Sequence, residues 1–171
     1  LRAGLVSLRG DPERGCVLAR EAVQLAPPDD AYVRSMTTFC LGAACNYAGR
    51  DSEAIATYRE ALPLCQAAGN RVAAMLIVGN LTMLYSARGH LYAAVDLCQA
   101  TLTAAAQAGL QNSPALAAVY GGYGDLLYMW NDLTGAQTQV TQALALSGRG
   151  GHVAAIAYGS VVQSRVHQAV G

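Results

Sequence analysis

The sequence predicts an all-α fold, a right-handed α-solenoid in which antiparallel helix pairs stack as repeats of about 40 residues. Three observations lead to this prediction. Apolar residues recur at helical spacing along the chain, a stripe of small and apolar residues returns at a near-constant interval, and a turn signal precedes each copy of the stripe. No alternating β-branched run bounded by hairpin turns occurs in the sequence, so we expect no strands.

The stripe occupies offsets 0, 4, 7 and 8, which lie on one face of an α-helix. It recurs after forty residues and again after forty-two, and a weaker copy precedes it by thirty-nine. Small residues are frequent in it, so we expect the helices to pack closely. The four copies are Gly15, Ala19, Ala22 and Val23; Ala54, Tyr58, Ala61 and Leu62; Ala94, Cys98, Thr101 and Leu102; and Ala136, Val140, Ala143 and Leu144.

Turn signals divide the chain into helices. Gly and Asn tolerate the left-handed conformation that ends a helix, and they occur at Gly10-Asp11, Gly49-Arg50-Asp51, Gly89-His90 and Asn131-Asp132, with Gly171 in phase. We predict first helices over about 31–48, 71–88, 113–130 and 152–170 and second helices over 51–68, 91–108 and 133–147, with the glycine-rich loop 148–151 closing the last of these. The repeats, at about 1–30, 31–70, 71–112, 113–151 and in part 152–171, are expected to form a single domain.

The prolines refine these boundaries. Asp11-Pro12 and Ser113-Pro114 each place a capping side chain before a proline, which predicts a helix start. Pro27-Pro28 separates two helices. Pro63 lies inside a helical pattern, where we expect it to kink the helix or split off its last turn.

Composition and charge exclude several functions. The 171 residues carry eleven Arg, no Lys and eleven Asp and Glu, so the formal net charge is zero and neither a basic nucleic-acid surface nor a polybasic membrane anchor is expected. No apolar run approaches the roughly 18 residues that cross a bilayer. Without lysine there is no P-loop, and no catalytic motif is found, so we expect neither enzyme activity nor a cofactor. The chain starts without Met inside a periodic segment, which suggests a piece of a longer polypeptide.

The cysteines and histidines give no sign of a metal site or a disulfide framework. The five cysteines are scattered through alanine-rich segments, far from the three histidines, and no closely spaced ligand pair occurs. Free cysteine behaves as a small apolar residue, and its presence here predicts a reducing, cytoplasmic environment. The absence of lysine also indicates a GC-rich coding sequence, as in many bacteria.

The repeat resembles the tetratricopeptide repeat (TPR). One copy of that family's pattern is the order Leu41-Gly42, Cys45, Gly49, Ala54, Tyr58 and Ala61, with Cys45 in place of an aromatic residue. A second copy consists of Leu81, Tyr85, Gly89 and Ala94, with Thr82 in place of the small residue. A third copy consists of Tyr123-Gly124, Ala136 and Ala143. The family's Trp is missing, and the repeat is longer than 34 residues. The stretch from Tyr32 to Ala143 is similar to the sensor region of MalT-like activators, ATP-binding regulators of the LuxR family with a C-terminal helix-turn-helix.

The resemblance implies a binding groove on a concave face lined by the first helix of each pair. Aromatic and methionine side chains mixed with a few polar groups suit a ligand pocket, although Tyr and Met at helical spacing are also common in packed cores. The candidate groove residues are Phe39, Asn46, Tyr47, Gly79, Met83, Ser86, Gly121, Asp125, Tyr128, Met129, Tyr158, Arg165 and Gln168.

Two features of this groove leave alternatives open. Asp125 and Arg165, from neighbouring repeats, either pair with each other or separately bind a polar ligand. Gly79 and Gly121 occupy equivalent helical positions, which indicates either close helix crossing or a notch for a ligand, walled by Phe39, Met83, Tyr128 and Tyr158.

The function implied by the resemblance is a sensor or regulatory module of a LuxR-family transcriptional regulator. Such a module would receive a small-molecule inducer or a protein partner and bias self-association of the full-length protein, while the nucleotide and DNA chemistry would lie outside this chain. Two alternatives remain at this point: a general protein-interaction scaffold, and a homo-oligomerisation module whose low charge leaves apolar surface to pair.

Overall fold

A computed structural model describes residue 6 and residues 9–150 and 153–170; for residues 149, 150, 153–158 and 170 it describes the backbone alone. The described part is helical and contains no strand, which confirms the all-α prediction. A short 3₁₀ turn, Pro114–Leu116, precedes the sixth helix. The helices are α1 (Pro12–Gln24), α2 (Ala31–Tyr47), α3 (Asp51–Ala67), α4 (Arg71–Ala87), α5 (Leu91–Gln107), α6 (Ala117–Met129), α7 (Leu133–Gly150) and α8 (Val153–Val170).

The predicted turns end helices in the left-handed conformation. Gly49 has φ 69°, and the amide of the next residue, Arg50, donates to the Cys45 carbonyl at 2.9 Å, back across the end of α2. Asn131 ends α6 in the same left-handed conformation, with φ 61°, and the amide of the next residue, Asp132, donates to the Leu127 carbonyl at 2.9 Å. Positive φ values also occur at Gly10, Gly69, Gly89 and Gly109. Gly171 lies outside the described residues.

The stripe faces the interior of the helix layers, as predicted. The residues at its second position, Ala19, Tyr58, Cys98 and Val140, have no exposed surface. Ala54, Ala94 and Ala136 are equally inaccessible at the first position. The residues at the fourth position are half-buried. Small side chains on the second helices therefore do allow close packing.

The chain divides into two compact units, 1–77 and 78–171, and the division falls inside α4. In unit 1, α2 packs against both α1 and α3. Tyr58 of α3 is fully buried against Gly42 of α2, and its ring centroid lies 6.3 Å from that of Phe39.

Ion pairs join the helices of unit 1 at the surface. Arg20 of α1 donates to Glu53 of α3, and Arg50 contacts both Glu53 and Glu13. The hydrogen bond from Arg20 holds the pKa of Glu53 below its usual value. These side chains are between 37% and 63% exposed, so each pair contributes little to stability.

In unit 2, α6 packs against α5, α7 and α8. One core cluster lies between α5 and α6 and contains Ala94, Val95 and Leu126. A second joins α7 to α8, with Leu127 and Tyr128 of α6 packed against it, and its fully or almost fully buried members are Ala136, Val140, Val162 and Val166.

The structure excludes one of the two alternatives for Pro63 and corrects the predicted cap at Ser113. α3 continues through Pro63 to Ala67, so its last turn is not split off. Ser113 makes no side-chain capping bond; its backbone carbonyl accepts from the Leu116 amide at 3.0 Å, which closes the 3₁₀ turn instead. Pro27-Pro28 does separate α1 from α2.

The predicted glycine loop at 148–151 is also wrong in its first part. α7 continues through Gly148 to Gly150, while 151 and 152 lie outside the described residues. Leu146 and Ser147 are buried, and the Ser147 hydroxyl donates to the Ala143 carbonyl at 2.8 Å. Packing of this turn offsets the roughly 1 kcal/mol that each interior glycine costs a helix.

The two predicted caps differ in a way that mutagenesis can measure. The Asp11 carboxylate accepts from the Arg14 amide at 3.1 Å, whereas the Ser113 hydroxyl caps nothing. We expect Asp11→Ala to lower the free energy of unfolding by about 1 kcal/mol, because an amide at the start of α1 loses its partner. Ser113→Ala is the matched control and is expected to change it by less than about 0.5 kcal/mol. Equal losses in urea denaturation would contradict this assignment.

Candidate binding face

The first helices of unit 2 lie side by side in the order α4, α6, α8. A Cβ on Gly79 of α4 would lie 2.6 Å from the Cβ of Ala118 of α6, and α6 also packs against α8. The space beside Gly79 is therefore filled by α6, which assigns this glycine to close helix crossing and not to an open notch. Gly121 is buried in α6.

An ion pair links α6 to α8 on this face. Arg165 Nη1 donates to Asp125 Oδ1 at 3.0 Å, so the two residues do pair with each other. The Arg165 guanidinium carbon also lies 4.9 Å from the ring centroid of Tyr128, a cation–π contact. The Asp125 side chain is only 14% exposed and that of Arg165 is 48% exposed. One partner is therefore anchored within the fold while the other remains reachable.

Two methionines of α4 and α6 are exposed. Met83 of α4 is 41% exposed and Met129 of α6 is 47% exposed. Ser86 Oγ lies 3.7 Å from the Met129 sulfur and joins the two helices along their shared edge. Val161, one turn before Arg165 on α8, is 57% exposed. We call Met83, Ser86, Asp125, Tyr128, Met129, Val161 and Arg165 the unit 2 face.

The remaining predicted groove residues are not all on this face. Phe39, Asn46 and Tyr47 belong to unit 1: the first two are half-buried, and Tyr47 is 56% exposed. Gln168 is exposed in the last turns of α8. The side chain of Tyr158 lies outside the described residues. The role of all these residues in binding stays a prediction.

Two of the buried cysteines, Cys45 and Cys98, are unsuited to nucleophilic chemistry at neutral pH. Burial raises the pKa of Cys98 to about 11 and, with help from neighbouring Cys16 and Glu53, that of Cys45 to about 12. A thiol with such a pKa carries almost no thiolate. Within the described residues, no group of three or more His, Cys, Asp or Glu side chains could hold a metal ion.

An exposed aromatic pair was missed by the sequence reasoning. Tyr92 of α5 and Trp130, at the end of α6, have ring centroids 5.3 Å apart and are 79% and 40% exposed. The available signal was their position in the sequence. Both residues flank turns of the repeat, outside the apolar stripe that packs in the interior.

Comparison with known proteins decides the family. A model described as "MalT-like TPR region" matches residues 1–171. The chain belongs to this family. A search of curated proteins finds no match to this MalT-like TPR region.

Solved structures share the fold of this MalT-like TPR region. BtubC (BKLC) from P. vanneervenii is 24% identical with a TM-score of 0.75, covering 99% of this chain and 70% of that protein. A kinesin-light-chain-type protein of Podosopora anserina with nearly identical TPR-like repeats is 16% identical, with a TM-score of 0.70 and coverage of 99% and 83%. A Rap protein complexed with Competence and Sporulation Factor is 18% identical, with a TM-score of 0.57 and coverage of 97% and 50%.

The family and the fold together support a TPR-like interaction or regulatory domain. TPR-like folds are a non-catalytic type of scaffold in general. In the part of the chain that the structure describes, none of the helices combines the length and hydropathy needed to span a membrane.

Proposed function

We propose that this MalT-like TPR region is a non-catalytic sensor module of a cytoplasmic LuxR-family transcriptional regulator, and that it receives a partner protein or an inducer on the unit 2 face. The observation that carries the proposal is the combination on one face of exposed apolar side chains and an anchored, reachable arginine. DNA binding and nucleotide chemistry would belong to other parts of such a regulator.

The chemistry of the face supports binding. Met83 and Met129 are unbranched and polarizable, so they adapt to the shape of an apolar ligand. Arg165 is held by Tyr128 and Asp125, so less side-chain freedom is lost when it donates to a ligand. An adaptable apolar rim around a fixed polar group is the usual composition of a recognition site.

A Rap protein of the same fold class has been solved with Competence and Sporulation Factor bound, which supports reception of a factor as a use for such repeats. Family membership favours the regulator over a general scaffold, because the matched model is the MalT-like one. Self-association of the full-length regulator would be the output that the ligand changes.

The proposal is tested by binding to the chain with an altered face. We expect a thermal-shift screen of sugars, metabolites and nucleotides, run beside selection from a random peptide library, to yield a ligand whose affinity falls at least tenfold in Met83→Ser/Met129→Ser. Both side chains are over 40% exposed, so the fold should tolerate the change.

Val17→Ser is the matched control, because Val17 is 52% exposed on α1 and lies in unit 1. It should leave binding unchanged. Ligands that bind the double variant as tightly as the original chain, or the absence of any ligand in both screens, would refute a binding role for the unit 2 face.

A further inference from the structure

The charge of the unit 2 face narrows what can bind there; the inference rests on the proposed function. We propose that its occupant is an uncharged, apolar peptide segment. A backbone carbonyl of this segment accepts a hydrogen bond from Arg165, and its side chains pack on Met83 and Met129.

Within unit 2, the helices that carry the face contribute no net charge, and Arg88, which directly follows α4, is already engaged in an interaction of its own. From Val78 to its end, α4 contains no charged residue, α6 contains Asp125 alone, and α8 contains Arg165 and the histidine His167. Asp125 and Arg165 are already paired at 3.0 Å. A ligand carboxylate at Arg165 would lie close to the Asp125 carboxylate and be repelled, and a ligand cation would meet Arg165. Charged ligand groups would therefore lose hydration without gaining a free opposite charge.

A neutral acceptor suits Arg165. The guanidinium has five N–H donors in a fixed plane, and one nitrogen is engaged by Asp125 while the Tyr128 ring covers one side. About half of the side chain is exposed, so a ligand can reach it. A peptide carbonyl accepts from such a donor without adding charge, and it does not compete with Asp125 for the positive charge.

The extent of the face favours a peptide over a small metabolite. Met83 lies on α4 and Arg165 on α8, with α6 between them. Packed helices are about 8–10 Å apart, so two spacings amount to roughly 16–20 Å. An extended chain covers about 3.3–3.6 Å per residue, and five or six residues span that width. The exposed side chains along the way, Met83, Met129 and Val161, are apolar.

The test is a selection of random 12-residue peptides displayed on phage against the whole 171-residue chain, with Met83→Ser/Met129→Ser as the counter-selection. We expect the enriched peptides to be apolar and free of charged side chains. Trp130, the only tryptophan of the chain, directly follows Met129 and reports binding by fluorescence. Because no net charge is neutralised, the Kd should change less than twofold between 50 mM and 300 mM salt.

Asp125→Asn tests the electrostatic argument directly, because it leaves Arg165 without its counter-charge. A peptide with one apolar residue replaced by Glu should bind this variant about fivefold more tightly than it binds the original chain. Arg165→Gln is the control and should show no such gain. The salt dependence needs no variant and decides the matter even if Asp125→Asn unfolds.

The outcomes separate the two proposals. Enrichment of acidic peptides, with affinity that falls steeply in salt, would overturn the neutral-segment inference and leave the binding role of the face intact. Failure to enrich any peptide relative to the counter-selected variant, together with failure of the small-molecule screen, would overturn both.

Discussion

Gly42→Ala is expected to lower the free energy of unfolding by about 2 kcal/mol, or roughly 4–8 °C in thermal midpoint. A Cβ at this position would lie 2.6 Å from Cδ1 and 2.7 Å from Cε1 of Tyr58. Those atoms belong to a rigid ring with no exposed surface, and Phe39 packs beside it. The ring cannot swing away, so either the helices separate or the core strains. The loss exceeds the roughly 1 kcal/mol that alanine gains over glycine in a helix.

Gly148→Ala is the matched control for this substitution. Gly148 is also helical, but no atom lies within 4 Å of the position its Cβ would take. We therefore expect a small gain in stability, up to about 1 kcal/mol, from the same chemical change. If both variants shift the denaturation midpoint in the same direction, the contact between Gly42 and Tyr58 is not the cause of the stability loss in Gly42→Ala.

The position of Gly42 belongs to a recurring packing slot. Gly42 faces Tyr58 in one repeat, and Gly124 faces Val140 in another, where a Cβ would lie 2.7 Å from a methyl carbon. In the repeat between them the slot contains Thr82 and Cys98, whose side-chain polar atoms are 3.1 Å apart. A larger residue on the first helix is thus matched by a smaller one on the second.

This matching suggests a rescue of the first prediction. Gly42→Thr should destabilise more than Gly42→Ala, since more atoms meet the ring of Tyr58. Combining it with Tyr58→Cys transplants the pair found at Thr82 and Cys98, so the double variant should be more stable than Gly42→Thr alone. Losses that simply add in guanidinium denaturation would contradict the slot model.

The fold was largely predictable because its signals are local and periodic. The stripe beginning at Ala54 and the turn at Gly49 follow from helix geometry and from the conformations that glycine tolerates. The exceptions are local as well. The pattern around Pro63 predicted a kink or a split-off last turn, and the glycines at 148–150 predicted a loop, yet both helices continue through these residues, because buried neighbours stabilise turns that the local residues disfavour.

The candidate site was predictable only in part, because it depends on contacts between repeats. Both partners of the pair of Asp125 and Arg165 were among the candidates, but pairing required the distance between two helices forty residues apart in sequence. The choice between a notch and a crossing at Gly79 depended on where Ala118 lies, which no local pattern encodes. Tyr92 and Trp130 stand at turn positions that are visible in the sequence, but the contact between their rings joins two helices and could not be predicted from local pattern.

Gly122→Ala is the second substitution for which a large loss is expected, again about 2 kcal/mol. Its Cβ would lie 2.7 Å from Cγ2 of Thr82, a fully buried residue. Threonine is stiff about χ1, and here its hydroxyl donates to the Val78 carbonyl at 2.9 Å and lies 3.1 Å from the sulfur of Cys98. Rotating the methyl group out of the way would break both contacts.

Thr82→Ser provides the rescue, because serine keeps the hydroxyl and removes the methyl group that Gly122 accommodates. Alone it should cost about 1 kcal/mol for the lost buried methyl. Combined with Gly122→Ala it should restore stability to within about 1 kcal/mol of the original chain, giving a coupling of at least about 2 kcal/mol in a double-mutant cycle. A cycle without coupling would show that Gly122 does not compensate for Thr82. If coupling is found, the repeat tolerates Thr82 where TPR repeats carry a small residue because Gly122, on the first helix of the next repeat, leaves room for the threonine methyl group.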